Sequence, residues 1–291
     1  MYLVWTLFAH RYEYLHADQF DSDSESDDAD VESPKKMGYV TIPPAESCNL
    51  GSSSSPLDDD SKPVIRGDWR ELRARLVAAE RISRPESTLS SSPTIILGEK
   101  WAHAIHHPER GCLLIATEKL DGVHIFERTV VLLLSTGPMG PNGIILNRPS
   151  LMSIKEMKST AKLDVSGTFS DRPLFFGGPL EEAVFLLNPK GSDNGVEGSG
   201  VFDPVMKGLH YGTKESVGCA AEMVKRNVVE VGDFKFFDGY CGWEKGQLDE
   251  EIRNGYWSLA ACSPSVVGMA TVGCVRLWEE VTFLLGSKKV W

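Results

Sequence analysis

The sequence predicts one domain of mixed strands and helices behind an acidic tail, and three observations predict it. Residues 111–117 and 128–134 are unbroken apolar runs of strand length, as a sheet covered on both faces requires. Residues 68–80, 214–227 and 277–284 instead space their apolar side chains three or four apart, the period of an amphipathic helix. Residues 17–66 are acid and serine with little to bury. A chain of 291 residues that is 42% hydrophobic can bury a sizeable core. The expected division is a disordered leader over 1–66, a docking helix and linker over 67–98, the domain over 99–286 and a C-terminal tail over 287–291.

Net charge is −11, unevenly spread: residues 1–98 carry 17 acidic and 10 basic side chains, the remainder 24 and 20. Neither part offers the basic face that neutralising phosphates on DNA or RNA demands, so nucleic acid is excluded as a partner. The six cysteines include no CxxC pair, which leaves a disulfide framework or structural zinc without support. No apolar run reaches the roughly 18–20 residues of a membrane-spanning helix. The opening nine residues lack a basic flank, and the acids that follow are foreign to a transit peptide.

In chain order, Asp21 to Asp30 is a run of acid and serine that suits an acid-directed kinase, set against a merely solvated leader. Asp68 and Glu71 have capping-box spacing, with Leu72, Leu76 and Ala79 on one helical face and Trp69 beside them as docking groups. Residues 81–93 are polar linker. His103, His106 and His107 cluster without helical spacing or a nearby carboxylate group, so they read as loop histidines and no metal is expected. The glycine- and proline-rich residues 137–143 lack a Gly-Lys-Ser/Thr ending and open into a strand, which excludes a phosphate-cradling loop. That strand ends at Asn147-Arg148-Pro149, where proline bars Arg148 from helical geometry. Residues 153–159 read as a short helix. Gly177-Gly178-Pro179 ends another strand, 183–187 and 208–212 are further strands, and 189–200 is a polar loop. Ser263-Pro264 is an N-cap followed by proline, and Gly286 stops the last helix.

The densest chemistry lies in residues 234–257, read as a strand to Tyr240, a glycine turn, and a helix beginning at Trp243. Trp243, Gln247 and Glu251 share one column of that helix. Its Gly-Tyr-x-Gly-Trp-x-x-Gly-Gln-Leu-x-x-Glu-Ile pattern at 239–252 stands with Gly111-Cys-Leu-Leu-Ile-Ala116, Phe126-Glu-Arg-Thr-Val-Val131, Gly143-Ile-Ile-Leu-Asn-Arg-Pro149 and Gly177-Gly-Pro179. Together they resemble the AlgH/YqgE family in its plant branch, over roughly residues 99–286. The resemblance implies an α+β fold with a split, barrel-like mixed sheet and flanking helices. The family has no established activity or cofactor, and a regulatory role in transcription attaches to one bacterial branch alone. Plant relatives imply a chloroplast location, whereas the acidic N-terminus points to the cytoplasm.

Cys241 is the tempting nucleophile because a helix N-terminus beside it would lower a thiol pKa. Relatives usually carry another small residue there, and no hydrolase elbow, zinc-protease or dinucleotide motif is present, so catalysis is not expected. The favoured reading is a binding or regulatory module without a cofactor. Its candidate site gathers Asn147, Arg148, Gly177, Gly178, Tyr240, Trp243 and Gln247, with Arg148 receiving a small anion and Tyr240 and Trp243 forming an apolar wall. The same residues also suit a purely architectural role. A protein-interaction scaffold, using the acidic tail and helix 68–80 toward unknown protein partners, is the alternative, and a thiol or hydrolase-type enzyme the third.

Overall fold

The computed structural model describes residues 68–82, 97–138, 140–156, 167–188, 196, 199–272 and 276–286. The leader 1–66, residues 83–96 of the linker, residues 157–159 of the short helix, most of the loop 189–200, the tail 287–291, Cys48 and Cys274 lie outside the described residues.

Helix α1 (Trp69–Ile82) opens with Asp68 Oδ1 accepting from the Arg70 amide at 3.0 Å. Glu71 does not close the capping box; it pairs forward with Arg75 at 2.5 Å. The expected docking groups are also corrected. Trp69 and Leu76 are 63% and 59% exposed, while Arg70 donates to the Gly111 carbonyl at 3.1 Å and Arg73 to Glu109 at 3.1 Å. Arginine is better suited to this seat because the chain at 109–111 presents carbonyls and a carboxylate rather than an apolar groove.

Eleven strands are described: β1 (Ala102–Ala104), β2 (Leu113–Ala116), β3 (Val130–Ser135), β4 (Asn142–Ile145), β5 (Pro149–Ser153), β6 (Pro173–Phe176), β7 (Leu180–Leu187), β8 (Asp203–Met206), β9 (Leu209–Thr213), β10 (Phe234–Gly242) and β11 (Trp257–Cys262). They pair in the order β1-β11-β2-β3-β4-β10-β7-β9-β8, with β6 beside β10 and β5 beside β6. Every pairing is antiparallel except β6 with β10. The described strands do not close on one another, so the observed architecture is a large open mixed sheet with few helices. His103 is not a loop residue: it sits buried in β1, its ring stacked on Trp101 at 5.9 Å.

The central strands alternate as a doubly covered sheet must. Leu113, Ile115, Val130, Leu132 and Ile144 face one core, which helices α4 (Pro264–Gly268) and α5 (Leu277–Leu284) close with Val266, Val267, Leu277 and Val281. Leu114, Val131, Leu133 and Ile145 face another, closed by Trp243, Leu248 and Trp257. A third core is phenylalanine-rich: Phe169, Phe185, Phe234 and Phe236 meet at ring separations of 4.9–6.3 Å, and helix α2 (Val217–Lys225) covers them with Val217, Ala220 and Ala221.

β10 belongs to all three cores, and its course differs from the expected turn and helix. The chain stays extended to Gly242 because Cys241 and Gly242 pair with Gly143 and Asn142 of β4. Gly239 is a bulge residue at φ +80°, and the register against β7 shifts there. Residues 243–246 then cross the 137–143 loop, with the Trp243 amide bonded to the Pro141 carbonyl at 3.0 Å. Helix α3 (Gln247–Arg253) therefore starts at Gln247 and not at Trp243.

The bulge exists because another backbone crosses it. Gly177 donates to the Asp238 carbonyl at 2.7 Å and accepts from the Ile145 amide at 2.8 Å, which lodges the 177–178 segment between β4 and β10. A Cβ on Gly239 would stand 2.0 Å from the Gly178 oxygen, and one on Gly177 would stand 2.2 Å from the Gly239 oxygen. Gly239→Ala is expected to cost about 3 kcal/mol or more, strain plus overlap. Gly122 shares the φ of +80° in open space, so Gly122→Ala should cost only about 1 kcal/mol. Urea unfolding of both variants measures the difference, and equal midpoints would remove the crossing as the reason for glycine.

Candidate functional site

The seven residues of the expected site divide among three places. Gly177 and Gly178 are filled by backbone: a Cβ on Gly178 would meet the Tyr240 carbonyl carbon at 2.3 Å, so no ligand fits between these segments. Tyr240 packs with the core closed by α4 and α5, while Trp243 lies in the core on the opposite face. They do not form one wall, because the strand separates them.

Trp243 and Gln247 instead serve Glu251. Its Oε2 accepts from Trp243 Nε1 at 3.0 Å and Trp257 Nε1 at 2.8 Å, and its Oε1 accepts from Gln247 Nε2 at 3.0 Å. Gln247 Oε1 in turn accepts from the Glu244 amide at 2.9 Å. This carboxylate ties α3 to β11 and to the residues after β10. The column of Trp243, Gln247 and Glu251 was visible in the sequence; Trp257, the fourth member, comes from the next strand and was not.

Cys241 is buried, and burial, with Glu251 adding to it, pushes its thiol pKa upward. The expectation of a lowered pKa fails because α3 begins six residues later and the sulfur faces the core, 3.7 Å from the Gly177 carbonyl.

Asn147 and Arg148 line an open surface cleft. A cleft of about 430 Å³ is lined by His124, Glu127, Arg128, Asn147, Arg148, Trp278 and Glu279. Asn147 is buried; its amide donates to the Arg128 carbonyl at 2.8 Å and its Oδ1 accepts from the Val130 amide at 2.9 Å. That clasp holds Arg128 at φ +49°, a left-handed conformation that costs an arginine about 1–3 kcal/mol. Thr129 Oγ1, bonded to the Phe126 carbonyl at 2.8 Å, braces the same turn. The Arg128 guanidinium then lies 5.7 Å from the Trp278 ring centroid. Trp278 is itself fixed by donating Nε1 to the Ala116 carbonyl at 2.9 Å.

Arg148 is half-buried and donates to the Glu127 carbonyl and, at 3.5 Å, to that of Asn147. Burial draws its pKa below the ordinary arginine value, and the Glu127 charge opposes that. The cleft thus presents two guanidinium groups on a rigid frame, an arrangement able to receive a carboxylate or phosphate. The sequence singled out Arg148 as an anion-binding group but grouped it with the glycine turns, Tyr240 and Trp243; Arg128, His124 and Trp278, which line the cleft beside it, were not named with it. Arg128 stands in a quoted motif, but no local residue pattern announces its positive φ.

The 137–143 loop packs under Trp243, whose carbonyl lies 2.1 Å from where a Gly140 Cβ would stand. Among the described residues no three metal-ligating side chains converge, and no helix is long and apolar enough to cross a membrane.

The fold and cleft define an α+β protein built on a large mixed sheet, with an arginine-bearing cleft where β3 and β4 meet α5. The family model described as AlgH-like, DUF179, matches residues 113–289, and the chain belongs to that family. A UPF0301 protein of Chlorobium luteolum is 33% identical over 61% of this chain and 86% of its own length. One from Chlamydia muridarum is 29% identical over 62% and 88%. Among solved structures, the AlgH protein of Pseudomonas aeruginosa aligns over 69% of this chain and 94% of its own at 21% identity and a TM-score of 0.45. A Corynebacterium diphtheriae protein aligns over 61% and 87% at 24% and the same TM-score of 0.45.

Two measurements check these assignments. Glu251→Ala leaves two buried indole donors without their acceptor and is expected to cost about 2–4 kcal/mol in urea unfolding, with Glu251→Gln losing less. In the native protein a thiol reagent is expected to label the exposed Cys219 and spare Cys241 until unfolding; rapid native labelling of Cys241 would contradict its burial.

Proposed function

We propose that this chain is a binding or regulatory protein whose ligand carries a small anionic group, received by Arg128 and Arg148 in the cleft beneath Trp278. The observation that carries the reading is Arg128 itself. A left-handed residue is strained unless it is glycine, or to a lesser degree asparagine or aspartate, yet here an arginine occupies the position and is clasped by Asn147. Such strain is more readily understood where the side chain is needed than where any turn would do. Arg148 beside it supplies a second donor fork with its backbone already anchored. The burial of Cys241 weighs against the thiol-enzyme alternative.

The exposure of Trp69 and Leu76 on α1 favours a second reading, in which this helix contacts a protein partner. A plant-branch assignment and a chloroplast location belong to the same proposal and rest on the resemblance alone.

Titration of the full-length chain with inorganic phosphate and with acetate tests the anion site. Arg128→Ala and Arg148→Ala are each expected to weaken binding about tenfold, the worth of one charge-assisted hydrogen bond. Arg128→Ala should do so with little change in melting temperature, because its side chain is exposed. Unchanged binding in Arg128→Ala, with lowered melting alone in Arg148→Ala, would assign both arginines to architecture.

A further inference from the structure

We infer that the cleft is built for a zwitterion, a small molecule carrying one carboxylate and one ammonium group in the manner of an amino acid, and not for a simple polyanion. The inference rests on the anion site proposed above and adds the second charge.

It follows from the charges that line the cleft and from what each of them already does. Two guanidinium groups, Arg128 and Arg148, share the lining with two carboxylates, Glu127 and Glu279, and His124 stands at the exposed rim. Among the described residues neither Glu127 nor Glu279 brings its carboxylate within 4.0 Å of a basic group, although the Glu127 charge reaches Arg148 through space. The arginines are held elsewhere, Arg148 by the Glu127 and Asn147 carbonyls and Arg128 by the Trp278 face. Glu279 is carried on the first turn of α5, next to Trp278, whose ring nitrogen is anchored on the Ala116 carbonyl.

The cleft therefore offers charge of both signs with no direct ion pair between them, the guanidinium groups anchored and the carboxylates free to turn toward a ligand. A polyanion such as a nucleoside triphosphate would meet both guanidinium groups but also two carboxylates, and like charge raises its cost. A molecule with one charge of each sign satisfies both sets at once. The carboxylate is assigned to Arg128 and Arg148, and the ammonium to Glu127 and Glu279. At about 430 Å³ the open cleft has room for a molecule of amino-acid size.

Four probes of one carbon length separate the possibilities by calorimetry on the full-length protein at low ionic strength: 2-aminopentanoate, 5-aminopentanoate, pentanoate and pentylamine. At least one of the two zwitterions is expected to bind about tenfold or more tightly than pentanoate or pentylamine, one added charge contact being worth about that factor. Replacing both acids, Glu127→Gln with Glu279→Gln, is expected to reduce the zwitterion to the affinity of pentanoate while leaving pentanoate bound as before or tighter. Arg128→Ala is expected to weaken every carboxylate probe. Pentanoate binding as tightly as both zwitterions would overturn the inference and leave the anion site standing. Failure of all three carboxylates and of inorganic phosphate to bind would overturn both.

Discussion

The structure depends on one backbone crossing, where the 177–178 segment lies against β10 at 238–241 closely enough that neither chain tolerates a Cβ. Gly177 bonds to Asp238 on one side and to Ile145 on the other, so this short segment joins β4 to β10. Only with that junction can β10 pair with β4 at one end and with β6 and β7 at the other. The bulge at Gly239 absorbs the mismatch in register between the two sets of partners. Three cores then meet along a single strand, which is why this stretch carries Phe234, Phe236, Phe237, Cys241 and Trp243 within ten residues.

A sheet bent in this way leaves backbone groups that no strand can satisfy, and long polar side chains take their place. Asn147 bonds Arg128 and Val130, and Arg70 bonds Gly111. Lys235 Nζ donates to the carbonyls of Val267, Gly268 and Ala270 at 3.3, 2.8 and 2.6 Å, closing the C-terminal end of α4. Glu251 does the converse, accepting from two indoles so that their apolar rings pack without an orphaned donor. Each bond contributes a modest net stabilisation, about 0.5–1.5 kcal/mol or somewhat more where a charge takes part, yet losing one partner strands the other in the interior.

Much of the fold was legible because its signals are local. The runs around β2 and β3 are apolar on every residue because both faces are covered, and Leu277, Val281 and Gly286 marked the last helix and its stop. The glycine pairs were correctly singled out as special, but their reason was not local. Gly177 is glycine for lack of space beside Gly239, a fact that belongs to two segments sixty residues apart. The same limit moved the helix start from Trp243 to Gln247, since the pairing of Cys241 with Gly143 keeps the chain extended. Of the site, Arg148 was legible from its place at a strand end before proline. Arg128 was not, since its conformation is held by Asn147 from the bend between β4 and β5. Trp69 and Leu76 misled because apolar spacing on a helix predicts a buried face, while the helix is seated through Arg70 and Arg73 on carbonyls and Glu109 and leaves both apolar side chains exposed.

The open charges of the cleft follow from a competition whose sides can be ranked. An ion pair on an exposed surface gains about 0–1 kcal/mol, since water screens it and two long side chains must be ordered to form it. Hydrogen bonds from a guanidinium to backbone carbonyls beside a buried asparagine gain about 1.5–3 kcal/mol, and a cation over an indole face about 0.5–1 kcal/mol even when exposed. Arg148 accordingly stays with Glu127 and Asn147 through their carbonyls, and the Glu127 carboxylate acts on it only through space, without a direct ion pair. The anchors are themselves tied to the sheet, Asn147 through Val130 in β3 and Trp278 through Ala116 in β2. The placement of both guanidinium groups thus inherits the rigidity of the central strands. On the proposed reading, the anionic group of a ligand meets two guanidinium groups already anchored, and little ordering of those two side chains is left to set against its binding.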